Sequence, residues 1–284
     1  MTDRELDAAL EQTLVIARRA GALLQEGQRS GFTVEHKGAV DLVTDYDLRS
    51  ERLVVEALAE AFPGHAVLAE EGGQQGAVAL PEEGGQQGEA RSDAAGPLWL
   101  IDPLDGTTNY AHRLPFYCVS MALQLGGETV LGVVLAPALG WEFCARRGGG
   151  ARLNGVPLRV SEVRDLDGAL LATGFPYDRR TSQENNVPQF AAMLGQVQGI
   201  RRVGSAALDC AMVALGALDG YWEYKVRPWD IAAGAILVRE AGGTVTDAEG
   251  GPHQPFCSNL LASNGRVHQA MLEVLRAVDR SRSA

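Results

Sequence analysis

The chain has 284 residues, of which 46% are hydrophobic and 21% are charged, so it can bury a substantial core as one large domain or two smaller ones. Its formal net charge of -11 at pH 7 argues against direct binding to nucleic acid or to an anionic membrane, because the electrostatic force would be repulsive. The sequence shows neither a basic, apolar leader nor an apolar run near the roughly 18 residues of a membrane span, so we expect a cytoplasmic protein.

The first seventy residues are predicted to form two helices and two strands. Leucine and alanine residues recur at helical spacing from residue 4 to residue 27. A second helix is expected to begin at Thr44 or Asp45, both of which are favoured capping residues. The predicted strands cover residues 31–37 and 66–69.

A loop with an internal repeat follows. Residues 72–97 are rich in Gly, Gln, Ala and Glu, a composition typical of a surface loop. Within it, Glu82 to Gly88 repeats Glu70 to Gly76 residue for residue, which leaves two candidate glutamate pairs. The first copy follows an apolar strand, whereas the second follows Pro81, which lacks the N–H that a central strand needs. We therefore expect the first pair to be the functional one.

An abrupt change from apolar to charged residues marks the centre of the chain. Leu98 to Ile101 is a short apolar run typical of a buried strand, so Asp102 should emerge at its carboxyl end, where α/β sheets hold ligands. Pro103 presets φ for a tight turn. Such a turn can bring the Asp102 and Asp105 carboxylates to one side while the Leu104 carbonyl points inward.

This turn has two interpretations. Asp102 and Asp105 could simply be turn and capping residues, since acids are common there. However, two close carboxylates repel unless one is protonated or a cation separates them, and the next basic residue along the chain is His112. Oxygen ligands without neighbouring Cys or His favour Mg²⁺, with Mn²⁺ as an alternative, over zinc. Gly106 lets the backbone approach a ligand, and the N–H groups up to Thr108 would suit a phosphate if a helix starts there.

The rest of the chain is predicted to alternate between strands and helices. Three successive strands form a meander, so the sheet is not purely parallel. We place the first half of the chain at residues 1–165, which includes the loop insertion at 72–97, and the second half at 166–284. The predicted strands cover 116–125, 130–135, 141–145, a segment with Leu158 and Val160, 169–173, 221–224, 244–246 and 260–263, and the predicted helices cover 188–194, 204–216, a segment that begins near Trp229, and 267–278.

Four motifs resemble those of a known family. The segment from Trp99 to Tyr110 closely resembles the first signature of the inositol monophosphatase family, which are metal-dependent, lithium-sensitive phosphatases. Trp229 to Gly234, followed by Leu237 to Gly243, is similar to the second signature. Asp41 to Asp47 and Glu70-Glu71 resemble the two remaining motifs, and all four stand in family order along most of the chain.

The resemblance implies a fold and an activity. The fold would be an α/β (α+β) layered sandwich of alternating helices and mixed or antiparallel sheets, the sugar-phosphatase fold, with the active site between the two halves. The protein would be a homodimer that hydrolyses a small phosphate ester. The segment from Gly204 to Gly243 looks most like bacterial inositol monophosphatases, so we expect inositol 1-phosphate to be split by metal-activated water without a phosphoenzyme.

The resemblance also implies roles for individual residues. Two to three Mg²⁺ ions would be bound, the third weakly near Glu70, with Mn²⁺ as an alternative. Their ligands would be Glu70, Asp102, the Leu104 carbonyl, Asp105 and Asp230. The residues that act on the attacking water would be Thr107, Asp47 and Glu70. The residues that contact the substrate would be Asp105, Gly106, Thr107, Ala206, Glu223 and Asp230.

Other functions are compatible with the same sequence. Related phosphatases act on fructose 1,6-bisphosphate, histidinol phosphate or 3′-phosphoadenosine compounds. A partner-binding regulatory protein is a candidate of a different class, because some bacterial relatives associate with the transcription machinery. The intact set of acids favours catalysis, since phosphomonoester hydrolysis needs acceleration of up to about 10²¹-fold, to which metal ions can contribute.

Overall fold

The structure is a computed structural model that describes residues 1–38, 41–75, 96–254 and 256–283. The second copy of the repeat, with Glu82 and Glu83, lies outside these ranges. None of the helices in the described ranges is both long and apolar enough to cross a membrane. All four cysteines are free thiols.

The described residues form seven α-helices and fifteen β-strands. The helices are α1 (Asp3–Ser30), α2 (Asp45–Ala61), α3 (Thr107–Ala111), α4 (Val187–Leu194), α5 (Ala206–Leu215), α6 (Pro228–Glu240) and α7 (His268–Ser283). The strands are β1 (Val34–His36), β2 (Leu42–Thr44), β3 (Ala66–Ala69), β4 (Gly73–Gln75), β5 (Leu98–Asp105), β6 (Cys118–Leu125), β7 (Glu128–Ala136), β8 (Trp141–Arg146), β9 (Gly150–Leu153), β10 (Val156–Pro157), β11 (Leu170–Thr173), β12 (Gly199–Arg201), β13 (Gly220–Tyr224), β14 (Thr244–Thr246) and β15 (Asn259–Ser263).

The strands form two large sheets, and both are mixed. The first has the order β10-β9-β8-β7-β6-β5-β3-β4, and β3 pairs with β5 in parallel while its other pairs are antiparallel. The second has the order β12-β11-β13-β15-β14, with β11 parallel to both of its neighbours. β1 and β2 form a separate hairpin. The predicted combination of mixed and antiparallel sheets is confirmed.

Helices and sheets alternate in layers because β5 is buried on both faces. Trp99 packs with Leu24 of α1 in one apolar cluster, while the next residue, Leu100, packs with Ile236 of α6 in another. α5 and α6 therefore lie between the two sheets. On the far side of the second sheet, Trp222 of β13 packs in a third cluster with residues of α4 and α7. This alternation is the layered sandwich that the family resemblance implies.

Two predicted segments differ from the structure. Residues 72–97 are not a loop throughout, because Gly73–Gln75 turns back as β4 and pairs antiparallel with β3. The predicted strand with Leu158 and Val160 is wrong. The Leu158 N–H donates to Ala151 O at 2.9 Å and the Val160 N–H to Ala241 O at 3.1 Å, so their backbones bond to different elements rather than to one neighbouring strand.

Candidate active site

Two parallel strands bring the first two acids of the site to one edge. β3 and β5 pair in register with Ala69 opposite Ile101, so Glu70 and Asp102 follow at the same end. The Glu70 N–H also donates to Ile101 O at 3.2 Å, which fixes the backbone directly after β3. The strand register therefore determines where the Glu70 side chain begins.

β5 does not end before Asp102 but continues to Asp105 with an irregular register. Its pairing with β6 shifts between these two acids. Pro103 has no N–H to donate, and its carbonyl accepts from Ser50 Oγ of α2 at 3.0 Å. The Leu104 N–H donates to Asp102 Oδ1 at 2.9 Å. The predicted tight turn is therefore wrong, and a bulge inside a longer strand places both acids.

α6 adds an acid from the second half of the chain. Pro228 stands at the first helical position, where its missing N–H costs nothing. Asp230 accepts from the Arg227 N–H at 2.8 Å, as an acid in a capping box does. Ser120 of β6 donates to Trp229 O at 3.1 Å, so this end of α6 is attached to the strand beside β5.

Burial and mutual repulsion raise the pKa of these carboxyl groups. Burial is the largest cause for Asp102, followed by the negative charges of Glu70, Asp105 and Asp230. Burial and then the charge of Asp105 raise the pKa of Asp230 well above its usual range. Burial also raises the pKa of Glu70 to about 7, although Lys37 acts in the opposite direction. The protein itself does not balance the negative charge of this group.

The donor set suits hard divalent cations. Its members are carboxylates and a backbone carbonyl, which Mg²⁺ and Mn²⁺ prefer. A bound cation would also offset the repulsion that raises the pKa values. In this conformation, no three acidic, His or Cys side chains in the described ranges converge closely enough to complete a metal site. The fit therefore rests on the chemistry and charge of the donors.

Lys37 belongs to the site, although the sequence pattern alone indicates a surface lysine. Its Nζ lies 3.3 Å from Glu70 Oε1 and also contacts Glu71 Oε1. The Glu71 N–H in turn donates to Glu51 Oε2 at 2.8 Å. The one sequence signal was that Lys37 precedes the Asp41 motif by four residues. Lys37 partly offsets the charge of Glu70.

Thr107 and Asp47 are hydrogen-bonded to each other. The Thr107 hydroxyl lies 2.9 Å from Asp47 Oδ1 and 3.0 Å from Leu104 O. Because Thr107 has one hydroxyl proton, it can donate fully to one of these acceptors at a time. Asp47 Oδ2 accepts from the Thr44 N–H at 2.8 Å, so Asp47 also completes the cap of α2. Burial raises the pKa of Asp47 to about 6.

Asp105 is attached to the first turn of α5. Its Oδ2 accepts from Ser205 Oγ at 2.6 Å and from the Ala207 N–H at 2.8 Å. The Ala206 backbone contributes a further hydrogen bond, and together these contacts oppose the effect of burial on the Asp105 pKa. The structure thus brings the Ala206 backbone, predicted from the resemblance, against an acid of the candidate metal site.

Gly106 can only be glycine at its position. Its φ is +93°, and an added Cβ would lie 2.8 Å from Phe116 O and 3.3 Å from Gly204 O. Asn109 holds the same segments together, because its Nδ2 donates to Phe116 O at 2.6 Å and to Val203 O at 2.9 Å. Gly106 therefore lets three backbone segments meet, and α3 begins directly after it, as the sequence suggested.

Glu223 of β13 lies at the other side of this region. Its carboxylate accepts a short hydrogen bond from the Tyr221 hydroxyl, and burial raises its pKa to about 7. Gly174 leaves the room that Glu223 occupies, since a Cβ there would lie 2.0 Å from Glu223 Oε1. Nothing in the sequence distinguishes Gly174 from an ordinary turn glycine, so its role was missed.

Asp209 of α5 was also missed. It is 1% exposed, and its Oδ1 has no hydrogen-bond partner among the described residues. Burial raises its pKa well above the usual range, and the charges of Glu223 and Asp105 add to that effect. Asp209 is therefore a further acid whose charge interacts with those of Asp105 and Glu223. The sequence pattern alone indicates only an acid in the first turn of a helix.

Related proteins match almost the whole chain. The model of the inositol monophosphatase family matches residues 5–280. Nus factor SuhB of Escherichia coli strain K12 is 41% identical over 262 residues, which cover 92% of each chain. Inositol-1-monophosphatase of Synechocystis sp. is 43% identical over 245 residues, which cover 86% of this chain and 80% of that protein.

A solved structure agrees in fold as well as sequence. The inositol monophosphatase from Anabaena (Nostoc) sp. PCC 7120 matches with a TM-score of 0.82 and 39% identity, covering 96% of this chain and 97% of that one. The resemblance found in the four motifs is thereby confirmed. This chain belongs to the inositol monophosphatase family, and that membership supports phosphatase activity.

Proposed function

We propose that this protein is a Mg²⁺-dependent phosphomonoester hydrolase with inositol 1-phosphate as its main substrate. The observation that carries the proposal is a group of four buried or half-buried acids whose pKa values are all raised, chiefly by burial, and it consists of Glu70, Asp102, Asp105 and Asp230. A phosphate ester would bring further negative charge into this region. It can bind there only if cations offset the charge, and the family membership supplies the class of reaction.

The proposed metal ligands follow the family resemblance. Glu70, Asp102 and the Leu104 carbonyl would hold one Mg²⁺, and Asp102, Asp105 and Asp230 would hold a second. Mn²⁺ could replace Mg²⁺, and a third, weaker ion would lie near Glu70. Bound there, the ions would neutralise charge on the phosphoryl oxygens and lower the pKa of a water molecule.

Thr107 and Asp47 would position the attacking water. The Thr107 hydroxyl lies between Asp47 Oδ1 and Leu104 O, at 2.9 and 3.0 Å. When Thr107 donates to one of these acceptors, its own oxygen lone pairs can accept a hydrogen bond from water. Asp47 and the Leu104 carbonyl would thus direct the Thr107 hydroxyl, and Glu70 is close enough for the charge of Asp47 to raise its pKa.

The substrate would be held by backbone groups on one side and carboxylates on the other. N–H groups after Gly106 would contact the phosphate, and Asp105 and Asp230 would border the ester bond. The Ala206 backbone and the Glu223 carboxylate would bind the ring hydroxyls. Glu223 suits this role because Gly174 gives its carboxylate room and Tyr221 holds it in place.

Phosphate release from a panel of substrates tests the proposal. The protein is stripped with EDTA and assayed with inositol 1-phosphate, fructose 1,6-bisphosphate, histidinol phosphate and 3′-phosphoadenosine 5′-phosphate, with and without MgCl₂. We expect release only with Mg²⁺, fastest from inositol 1-phosphate, and inhibition by millimolar lithium. Equal release without a divalent cation would contradict the metal requirement, and a faster alternative substrate would contradict the inositol assignment.

A second candidate function comes from the name of one relative. The 41% identical protein of Escherichia coli is called Nus factor SuhB, so this chain could also act as a partner-binding regulatory protein. Affinity capture from lysate with wild type and Asp102→Asn separates the two functions. A specific partner captured equally by both proteins would show a binding role that does not need catalysis.

We further propose that the protein is a homodimer in the cytoplasm. The proposal follows the family resemblance, and it is independent of the substrate. Light scattering after size-exclusion chromatography should give twice the chain mass of 30.2 kDa, and cell fractionation should place the protein with cytoplasmic markers. A monomeric mass at micromolar concentration would contradict the homodimer.

A further inference from the structure

The loop between β11 and α4 is attached to the strand that carries Glu223. At its start, Gly174 borders the Glu223 carboxylate. Further along, Asp178 Oδ2 accepts from Nζ of Lys225 at 2.7 Å, and Lys225 is two residues beyond Glu223. Tyr177 lies between these two attachment points. The loop segment that carries Tyr177 is therefore held against the strand that carries Glu223.

The loop is braced at its base and in its middle. Asn186 joins its two ends, because its Nδ2 donates to Gly174 O at 2.6 Å and its Oδ1 accepts from Trp222 Nε1 at 2.8 Å. Nζ of Lys225 also donates to Ser182 Oγ at 2.7 Å. Such bracing holds a side chain on a loop in place before a ligand arrives, which lowers the entropy cost of binding.

Tyr177 presents its side chain to solvent. The residue is 61% exposed, the most exposed aromatic side chain in the described ranges, although the residue before it, Pro176, is buried. A tyrosine hydroxyl is protonated at neutral pH, and the negative charges of Asp41, Glu70 and Asp230 act on Tyr177 in the same direction. The hydroxyl is thus available as a hydrogen-bond donor.

We propose that Tyr177 is a specificity-determining residue that selects phosphate esters of cyclic polyols. Its exposed ring would cover the C–H face of the substrate ring, and its hydroxyl would donate to a ring hydroxyl. Lys225 acts as a positioning residue, because it holds Asp178 and with it the neighbouring Tyr177. This inference rests on the proposed hydrolase function and adds a residue, outside the proposed binding set, that distinguishes cyclic from acyclic alcohols.

The distinction between cyclic and acyclic substrates follows from contact area. A flat aromatic face gains most of its dispersion and electrostatic energy from a partner with an extended face of its own. A six-membered polyol ring has such a face, whereas glycerol 2-phosphate has none. Removal of the Tyr177 ring should therefore weaken the binding of inositol 1-phosphate more than that of glycerol 2-phosphate. It should leave the reaction at phosphorus unchanged.

The test compares KM and kcat for inositol 1-phosphate and glycerol 2-phosphate with saturating Mg²⁺. Tyr177→Ala should raise KM for inositol 1-phosphate about tenfold with kcat within about twofold, and should change neither constant for glycerol 2-phosphate. Tyr177→Phe keeps the ring and should lose only about threefold. Lys225→Met should change KM in the same direction by about two- to threefold, because the ion pair is partly exposed, and Lys225→Arg should restore it.

Glu184→Ala is the matched control, since Glu184 is exposed on the same loop. Thermal unfolding checks each variant, and Tyr177→Leu replaces Tyr177→Ala if the latter is unstable. Equal changes for both substrates, or no change, would overturn the role of Tyr177 while leaving the hydrolase function intact. If the wild type releases phosphate from neither substrate, the proposed function is wrong and the role of Tyr177 falls with it.

Discussion

Two buried aspartates in this molecule have opposite surroundings. Asp219, in the turn before β13, is 5% exposed, and both of its carboxylate oxygens have donors. The Leu170 N–H donates to Oδ2 at 2.7 Å and the Ser161 hydroxyl donates to Oδ1. Asn264 Nδ2 donates to Ser161 Oγ at 2.9 Å and completes the network. The charge of Asp219 is met by hydrogen bonds from its own surroundings.

Asp102 is equally buried but faces other acids. It is 3% exposed, and the hydrogen bond from the Leu104 N–H does not outweigh burial and the charges of Glu70, Asp105 and Asp230. A buried acid with complete hydrogen bonding serves structure, whereas neighbouring acids that raise one another's pKa are typical of a functional site, such as a site for a cation. The difference lies in the partners of each acid, because both are buried aspartates.

The largest expected effect is the loss of activity in Asp102→Asn. An amide cannot replace the charge that would bridge two cations, so phosphate release should fall by at least about 100-fold at saturating Mg²⁺. Without metal, the variant should be at least as stable as wild type, because repulsion with Glu70, Asp105 and Asp230 is removed. Rates and urea unfolding check both parts. More than about a tenth of the wild-type rate would contradict the bridging role.

Asp219→Ala should show the reverse behaviour. The Leu170 N–H and the Ser161 hydroxyl would lose their acceptor in a buried place, which should lower the free energy of unfolding by about 2–4 kcal/mol. The kcat of the folded protein should stay within about twofold of wild type. Urea unfolding and steady-state kinetics measure the two quantities. If Asp219→Ala keeps its stability but loses activity, Asp219 has a functional role like that of Asp102, and the comparison fails.

The repeated glutamates sharpen the same comparison. Glu70 follows a buried strand and its N–H is bonded to Ile101 O, so its position is fixed. Glu70→Gln should reduce activity at least about tenfold and weaken Mg²⁺ binding. The matched control is the double change of Glu82 and Glu83 to Gln, which should leave turnover within a few-fold. The opposite outcome would show that the second copy of the repeat builds the site.

His253 gives the smallest effect, one of pH on stability. It is buried, neither ring nitrogen has a partner among the described residues, and burial followed by the charge of Arg239 lowers its pKa to about 3. The unfolded chain, with an ordinary pKa of about 6.5, takes up a proton that the folded protein does not. Titration of His253 therefore leaves the free energy of unfolding unchanged above about pH 6.5. The free energy of unfolding decreases as the pH falls from 6.5 towards 3, and the loss is about 2 kcal/mol at pH 5.

The check on His253 is urea unfolding of wild type and His253→Leu between pH 7.5 and 5. The difference in stability between the two proteins should change by about 2 kcal/mol over this range in favour of the variant. Parallel curves would mean that His253 does not titrate in this way.

Local sequence patterns predicted the helices and strands that carry the site, but not the contacts between these elements. Thr44 caps α2 and Glu70 directly follows β3, and both could be predicted because capping and strand burial are local properties. The bulge around Pro103 could not be predicted, since it depends on pairing with β6 and on the hydroxyl of Ser50 in α2. Local patterns describe one segment at a time, so they miss contacts that only the assembled layers create.

The residues missed in the site share this cause. Lys37 joins the site through its ion pairs with Glu70 and Glu71, which lie more than thirty residues further along the chain. Gly174 matters only because Glu223, far along the chain, lies against it. The metal roles of Asp102, Asp105 and Asp230 came from the family resemblance rather than from spacing. The structure supports those roles by placing the three acids in one electrostatic field.

Calorimetric titration of Mg²⁺ into EDTA-stripped protein tests the central claim most directly, because it needs no choice of substrate. Wild type, Asp102→Asn and folded Asp219→Ala are titrated under identical conditions. The central claim is that the acids around Asp102 form a cation site. It predicts saturable Mg²⁺ binding to wild type and to Asp219→Ala, and the loss of at least one bound Mg²⁺ ion in Asp102→Asn. Identical Mg²⁺ binding by wild type and Asp102→Asn would contradict it.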